Sequence, residues 1–497
     1  MDRFIGMAAG VLTASLLTST AAGAITADQV WSSMQARLSG LGMTVAADSQ
    51  AKSGGTLAVK GLKITAITKG GTIGATVAEL DFTEGGDGSV KITPPASIPI
   101  TFASAADQKP VTSATATINQ TGASTVVTGA DGDMTYTGAA DTVAVMLNSL
   151  TTDGKAVDLR VKAAMNGVKG TSHLVGTSPQ HIDSTSSIAG LSFMMDATNP
   201  DGPGTMHAEA TSSNLAGTGK MTTVPGMDMT NMSAALAAGY AVDSSMTYGA
   251  TTFAFKFDQA PKTSASNGSV AGGNITVSMD KSHLQYGGGS NGLDVTVESS
   301  QSPIPSVTLK MVQSAFNILL PVGKSDTPQD FALLTKLNGV AVNDELWAMV
   351  DPKGALPHDP ATVILDLAGK GKWAFDFFDP AQAAKPPAIP GELDSLTLNQ
   401  LQVTAAGADL SGTGAVTFDN SQGPMPKPTG SVDLKLVGGN GLIDKLTKMG
   451  LVPQDQAMGA RMMLGMFAKP GEGEDTMTSK IEFNADGSIM ANGQRIQ

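Results

Sequence analysis

From residue 57 onward apolar residues recur at every second position, and this period restricts much of the chain to β-structure. Leu57 and Val59, then Leu62, Ile64 and Ala66, then Ile73, Ala75 and Val77 alternate with polar or small residues. Successive side chains on a strand point to opposite faces, so this spacing builds half-buried antiparallel strands with one apolar and one polar face. Gly70-Gly71 and Gly85-Gly86-Asp87-Gly88 punctuate the runs as hairpin turns. Composition agrees: 58 glycines and only 4% aromatic residues fit many short strands and turns better than a helical bundle.

The same style continues to about residue 310, with strands expected over 113–118, 157–163, 251–257, 275–279 and 293–297 and a turn-rich connection over 199–204. Later strands are expected over 362–367, 396–403, 410–418 and 432–436, with a Pro-rich link over 380–390 and a last hairpin turning at Asp486-Gly487.

Helical segments interrupt this pattern. Thr26 and Gln29 have the spacing of a capping box, after which Val30, Met34 and Leu38 share one face and Gly40 or Gly42 ends the helix. A helix is expected over 232–239. Thr327 with Pro328 predicts another, its face formed by Phe331, Leu334 and Leu337 before Gly339. Asn343 caps a short helix carrying Leu346 and Trp347 that Pro352 ends. Leu442, Ile443, Leu446 and Met449 mark a helix ending at Gly450, and a Met-rich helix covers 454–467.

The expected architecture is therefore α+β and β-dominated, a long twisted antiparallel sheet with several packed helices. Its expected parts are a signal peptide (1–24), an N-terminal β-rich portion (25–310), a helical patch with the Pro-rich link (311–392), and a C-terminal β-rich portion with two helices (393–497). One internal echo, Ser213-Asn214-Leu215-Ala216-Gly217-Thr218-Gly219 against Ala408-Asp409-Leu410-Ser411-Gly412-Thr413-Gly414, hints at duplication.

The first residues carry the localisation. Asp2-Arg3 precede a mostly apolar run over 4–17, which thins into Thr18, Ser19 and Thr20 and ends at Ala22-Gly23-Ala24. A start with a basic residue, an apolar core and a small-x-small end make a secretory signal, with cleavage expected after Ala24 and a periplasmic destination. The apolar part falls short of the ~20 residues that span a bilayer, and no later segment is long and apolar enough to do so. The chain has no cysteine, so its stability rests on no disulfide and it has no lipid-attachment thiol. Its net charge of −13 argues against nucleic acid, whose phosphates need a basic face, and against simple electrostatic docking on anionic lipid.

Each chemical motif has a plainer alternative. Gly288-Gly289-Ser290-Asn291-Gly292 has the nucleophile-elbow spacing, but a strand rather than a helix follows, so a hairpin turn is expected. Ser49-Gln50-Ala51-Lys52 has the Ser-x-x-Lys spacing and is read as a polar loop. His173, His181, His207, His283 and His358 include no pair at zinc-ligand spacing. Asp131-Gly132-Asp133 lacks the rest of a calcium loop and reads as a solvated turn. Met221, Met227, Met229 and Met232 cluster, as do Met458, Met462, Met463 and Met466. Thioethers select copper(I), yet Met458, Met462 and Met466 recur at i, i+4, i+8 and are expected to pack a helix on the sheet; Met227-Asp228-Met229 is the piece left for copper. No phosphate-binding glycine loop has the right context.

Asp344-Glu345-Leu346-Trp347, Asp351-Pro352, Leu356-Pro357-His358-Asp359-Pro360, Val363-Ile364-Leu365-Asp366-Leu367 and Phe483-Asn484-Ala485-Asp486-Gly487 with Asn492-Gly493 stand out as a set. With the signal, the strand from Leu57 to Ile67 and the Asp87-Gly88 turn, they give a chain that resembles an alphaproteobacterial exported family, DUF2125-like, known as a domain of unknown function. The resemblance extends over nearly all of the chain beyond the signal. It implies no activity, cofactor or catalytic residue. Asp351 and Asp359 read as turn residues, and Asp366 as pointing to solvent from the strand face opposite Leu365 and Leu367.

No enzyme active site is expected: no catalytic, cofactor-binding or metal-binding residue is assigned. The expected function is that of a non-enzymatic envelope protein binding or chaperoning a lipid or other apolar ligand in a β-groove. A periplasmic structural or adaptor protein acting on another envelope protein is the alternative.

Overall fold

A computed structural model describes residues 24–40, 42–68, 70–105, 109–199, 202–224, 231–421 and 426–497. Residues 1–23 of the expected signal (1–24) and Met227-Asp228-Met229 lie outside these residues. The described residues form two compact units: one from those between 24 and 224 with 238–272 and 299–301, the other from 231–237, 273–298 and those between 302 and 497.

The first unit begins with α1 (Ala27–Gly40) and continues through β1 (Met43–Ala46), β2 (Ser49–Ser53), β3 (Thr56–Thr68), β4 (Gly71–Glu84), β5 (Val90–Thr93), β6 (Ser97–Ser104), β7 (Thr112–Thr121) and β8 (Ser124–Ala130). The longest strands follow: β9 (Asp133–Thr152), β11 (Leu159–Val175), β12 (Gln180–Thr198) and β13 (Thr205–Thr223), with the two-residue β10 (Lys155–Ala156) between the first two. Then come β14 (Ala241–Tyr248), β15 (Thr251–Gln259) and β16 (Lys262–Val270). All its registered pairings are antiparallel. The ends of the long strands take different partners: β4 pairs with β6 through 71–75 and with β5 through 81–84, and β9 pairs with β7 and β8 in the same way.

The capping box forms as expected: Thr26 N–H donates to Gln29 Oε1 at 2.9 Å and Gln29 N–H donates to Thr26 Oγ1 at 3.3 Å. It starts α1 over one end of the sheet. Val30 and Trp31 are buried there against Leu57, Val59, Phe82, Val127 and Tyr136. Lys52, expected in a loop, lies instead on the exposed strand β2 and bridges Asp28 of α1 (2.6 Å) and Glu84 of β4 (2.8 Å). The alternating Gln50 and Lys52 are what an edge strand carries.

Burial changes parity partway along the long strands. On β11, Leu159, Val161, Ala163 and Met165 share the inner face, but beyond Gly167 it is Val168, Gly170 and Leu174. Gly167 has φ 59°, and its row continues through exposed Asp141 and Ala189 to Asn214 with φ 50°. A left-handed residue shifts the alternation by one and keeps apolar side chains on one face past the irregularity. The echo beginning at Ser213 thus contains a mid-strand kink. Its counterpart at Ala408 instead follows a turn at Ala406-Gly407, so the two segments occupy different structural positions.

In the second unit, α2 (Met232–Ala237) and β17 (Gly272–Met279) precede β18 (His283–Ser299), β19 (Ser306–Pro321), β20 (Gln329–Val342), α3 (Asp344–Val350), β21 (Ala361–Trp373) and α4 (Pro380–Ala384). β22 (Gly391–Ala405), β23 (Ala408–Asp419), β24 (Lys427–Val437), α5 (Gly439–Lys448), α6 (Gln454–Phe467), β25 (Lys469–Pro470), β26 (Thr476–Phe483), β27 (Ile489–Ala491) and β28 (Gln494–Arg495) complete it. An antiparallel meander runs β18-β19-β20-β21-β22-β23-β24-β26. The sheet-dominated expectation holds in both units, and α6 has the expected bounds.

Two expectations fail here. Residues 329–342 form β20 and not a helix, because Phe331, Leu333 and Leu337 share a strand face while Leu334 occupies the other. The Gly288–Gly292 segment lies inside β18 and is not a turn. A Cβ at Gly288 would come within 2.6 Å of the Asn274 carbonyl oxygen and one at Gly289 within 2.6 Å of the Ser314 carbonyl oxygen, so these glycines permit close backbone approach. Gly292 (φ 64°) and Gly339 (φ 68°) flank exposed Val312 in a second parity-shifting row.

Candidate functional site

The strongest candidate is an apolar sheet face in the second unit. Register aligns Leu284 with Leu320 and Tyr286 with Ile318 across β18 and β19. It then aligns Ile318 with Leu333 on β20, and Leu333 and Leu337 with Leu367 and Val363 on β21. Directly paired residues on adjacent antiparallel strands present side chains to the same face, so these residues form one surface. Tyr286 packs on Phe316 with ring centroids 5.1 Å apart.

This surface is open. Tyr286, Ile318, Leu320, Leu333, Leu337 and Val363 are 37–45% exposed although all sit within long, fully paired strands. Isolated apolar residues are ordinary on a protein surface; six on one face of four adjacent strands are a patch. It continues onto half-buried Leu398, Leu401 and Val403 of β22. The reverse face of the same strands mixes polar Gln285, Asn317, Lys336 and Asp366 with half-buried Leu319 and Leu334 and buried Ile364, and Gln285 Nε2–H donates to Asn317 Oδ1 at 2.9 Å. A shallow cavity floored by Gly287, Gly289 and Ala315 and edged by Thr276, Gln313 and Asn317 opens in this region.

The first unit carries a comparable face where α1 does not cover the sheet. Val143 and Val145 on β9, Val161 and Met165 on β11, Leu191, Phe193 and Met195 on β12, and Phe253, Phe255 and Phe257 on β15 are linked through register. Most are half-buried, and Phe193 is exposed.

A second cluster gathers residues that sequence spacing had left apart. Asn343 stands at the N-cap of α3, as expected, but its side-chain N–H donates to the Ser306 carbonyl oxygen and makes no cap bond. After α3, buried Asp351 accepts N–H bonds from Leu356 at 2.6 Å and Ala355 at 2.9 Å. Those bonds, with His358 nearby, hold its carboxyl below the usual range. His358 Nε2 lies 3.6 Å from Asp351 Oδ2, beyond an ordinary hydrogen bond, and its ring stacks on Trp347. Both Asp351 oxygens are occupied in closing the loop, which gives the carboxylate a structural task. Asp359 is exposed in an irregular segment without the expected turn. Asp366 is half-buried and accepts from Asn399 Nδ2 at 3.0 Å, so it does not simply point to solvent.

The other motif residues remain separate. Ser290 pairs with Ser314 across strands at 2.8 Å. His173 contacts Asp133 at the hairpin that follows Asp131-Gly132, and His207 contacts Asp196. Among the described residues no group of three His, Cys, Asp or Glu side chains is placed to hold a metal. No helix of these residues is long and apolar enough to cross a membrane.

Fold and site thus define a β-dominated protein whose antiparallel sheet exposes an apolar face. Residues 247–493 match the model of a family described as an uncharacterized protein conserved in bacteria (DUF2125). The match includes the open face of β18–β21 and the Trp347–His358 cluster. It is narrower than the resemblance read from the sequence: the strand beginning near Leu57 and the Asp87-Gly88 turn lie outside it. Comparison with curated proteins and with solved structures returned no match.

Proposed function

We propose that the protein is a non-enzymatic bacterial envelope protein that binds or chaperones a lipid or another apolar ligand. The chain is exported to the periplasm, and its signal is removed after Ala24. The carrying observation is the open face of Tyr286, Ile318, Leu320, Leu333, Leu337 and Val363. Burial of a ligand methylene there is worth about 0.8 kcal/mol, so an acyl chain along the strands gains affinity with length.

Native mass spectrometry of the mature protein, purified gently from its own envelope and followed by solvent extraction, tests the reading. It predicts a defined co-purifying lipid and a mature mass beginning at Ile25. A bare chain that also takes up no lipid from vesicles contradicts the binding reading.

A further inference from the structure

The methionines of α6 do not pack on the sheet as their spacing led us to expect. Met458, Met462, Met463 and Met466 are 54–67% exposed. The helix is anchored by its other side: Ala457 is buried, Leu464 and Phe467 are partly buried, and Arg461 pairs with Asp444 of α5. The methionines are therefore held outward.

We propose that this stripe is a thioether site for a soft monovalent metal ion, copper(I) or its analogue silver(I). Residues three and four apart on a helix have Cβ atoms about 5–6 Å apart. Met462 therefore neighbours both Met458 and Met466, and Met466 also neighbours Met463. A methionine side chain is long and unbranched with three rotatable bonds, so neighbouring sulfurs can turn toward one ion. Thioethers are neutral soft donors that favour copper(I) over zinc, magnesium or calcium. The stripe bears no lysine or arginine to repel a cation, since Arg461 is turned to Asp444. The stripe shares no residue with the apolar sheet face, so it is tested independently of what that face binds.

The test is anaerobic titration of the full mature chain with copper(I) against a chromophoric chelator, with silver(I) native mass spectrometry as a second readout. The comparison is the variant Met458→Leu/Met462→Leu/Met463→Leu/Met466→Leu, which keeps side-chain size on an exposed surface. Circular dichroism and the unfolding midpoint verify its fold. The wild type is expected to withdraw copper(I) from the chelator with affinity at least about tenfold above the variant, and to carry a silver ion that the variant lacks. Equal uptake by the two proteins, or a wild type that withdraws none, overturns the proposal.

Discussion

The imidazole of His358 lies flat on the indole of Trp347, with ring centroids 4.3 Å apart and planes 6° from parallel. The stack closes the segment between α3 and β21 over the buried carboxylate of Asp351, so three residues from separate sequence motifs form one clamp.

That clamp has a pH signature. Bonds from Leu356 and Ala355 and the nearby His358 depress the folded pKa of Asp351. Its stabilising contribution is complete above the unfolded aspartate value of about 3.9 and is lost as pH falls through the folded value. Asp351→Asn lacks the charge. The difference between the urea midpoints of the two proteins will be full at neutrality and will narrow as pH falls below about 4 through the folded value. A constant difference across that range contradicts the assignment.

Thr26 fixes the start of the helix that covers one end of the first unit's sheet. Replacing it with Ala removes half of the capping box and will cost about 1 kcal/mol in urea unfolding. An unchanged midpoint would show that α1 is held by packing alone.

Gly167 sits where the inner face changes parity. Its φ is 59°, and a Cβ there would stand 3.0 Å from the Ala189 Cβ. Gly167→Val will cost about 1–3 kcal/mol. Gly190→Ala, one row away with no atom closer than 3.9 Å, will stay within about 0.5 kcal/mol. Equal effects would remove the special role of the kink.

Much of this fold was legible because local chemistry and tertiary demand agreed. Thr26 and Gln29 bond as their spacing requires, and Gly70-Gly71 and Asp486-Gly487 turn where alternation stops. Failures came where both faces of a strand carry apolar residues. Phe331, Leu334 and Leu337 fit a helical stripe, while Leu333 reveals the strand only if period two is chosen first. Of the candidate face, only the strand over 362–367 was legible as alternation; β20 was expected as a helix, and the exposure of the face was not legible. Whether Ile318 or Leu333 is covered depends on elements distant in sequence. The α6 methionines failed likewise: their spacing gives a face, and the anchors Ala457 and Arg461 decide which way it turns.

The absence of native cysteine allows a direct test of the sheet face. Ile318→Cys on the open face and Lys336→Cys on the reverse face can each carry one polarity-sensitive fluorophore. On adding vesicles made from the envelope's own lipids, the account predicts a blue shift and enhanced emission at position 318, with little change at 336. It also predicts that Leu333→Asn/Leu337→Asn reduces the shift without moving the unfolding midpoint by more than about 1 kcal/mol. An unchanged spectrum at 318, or the same shift at both positions, would contradict an apolar ligand seated on this face.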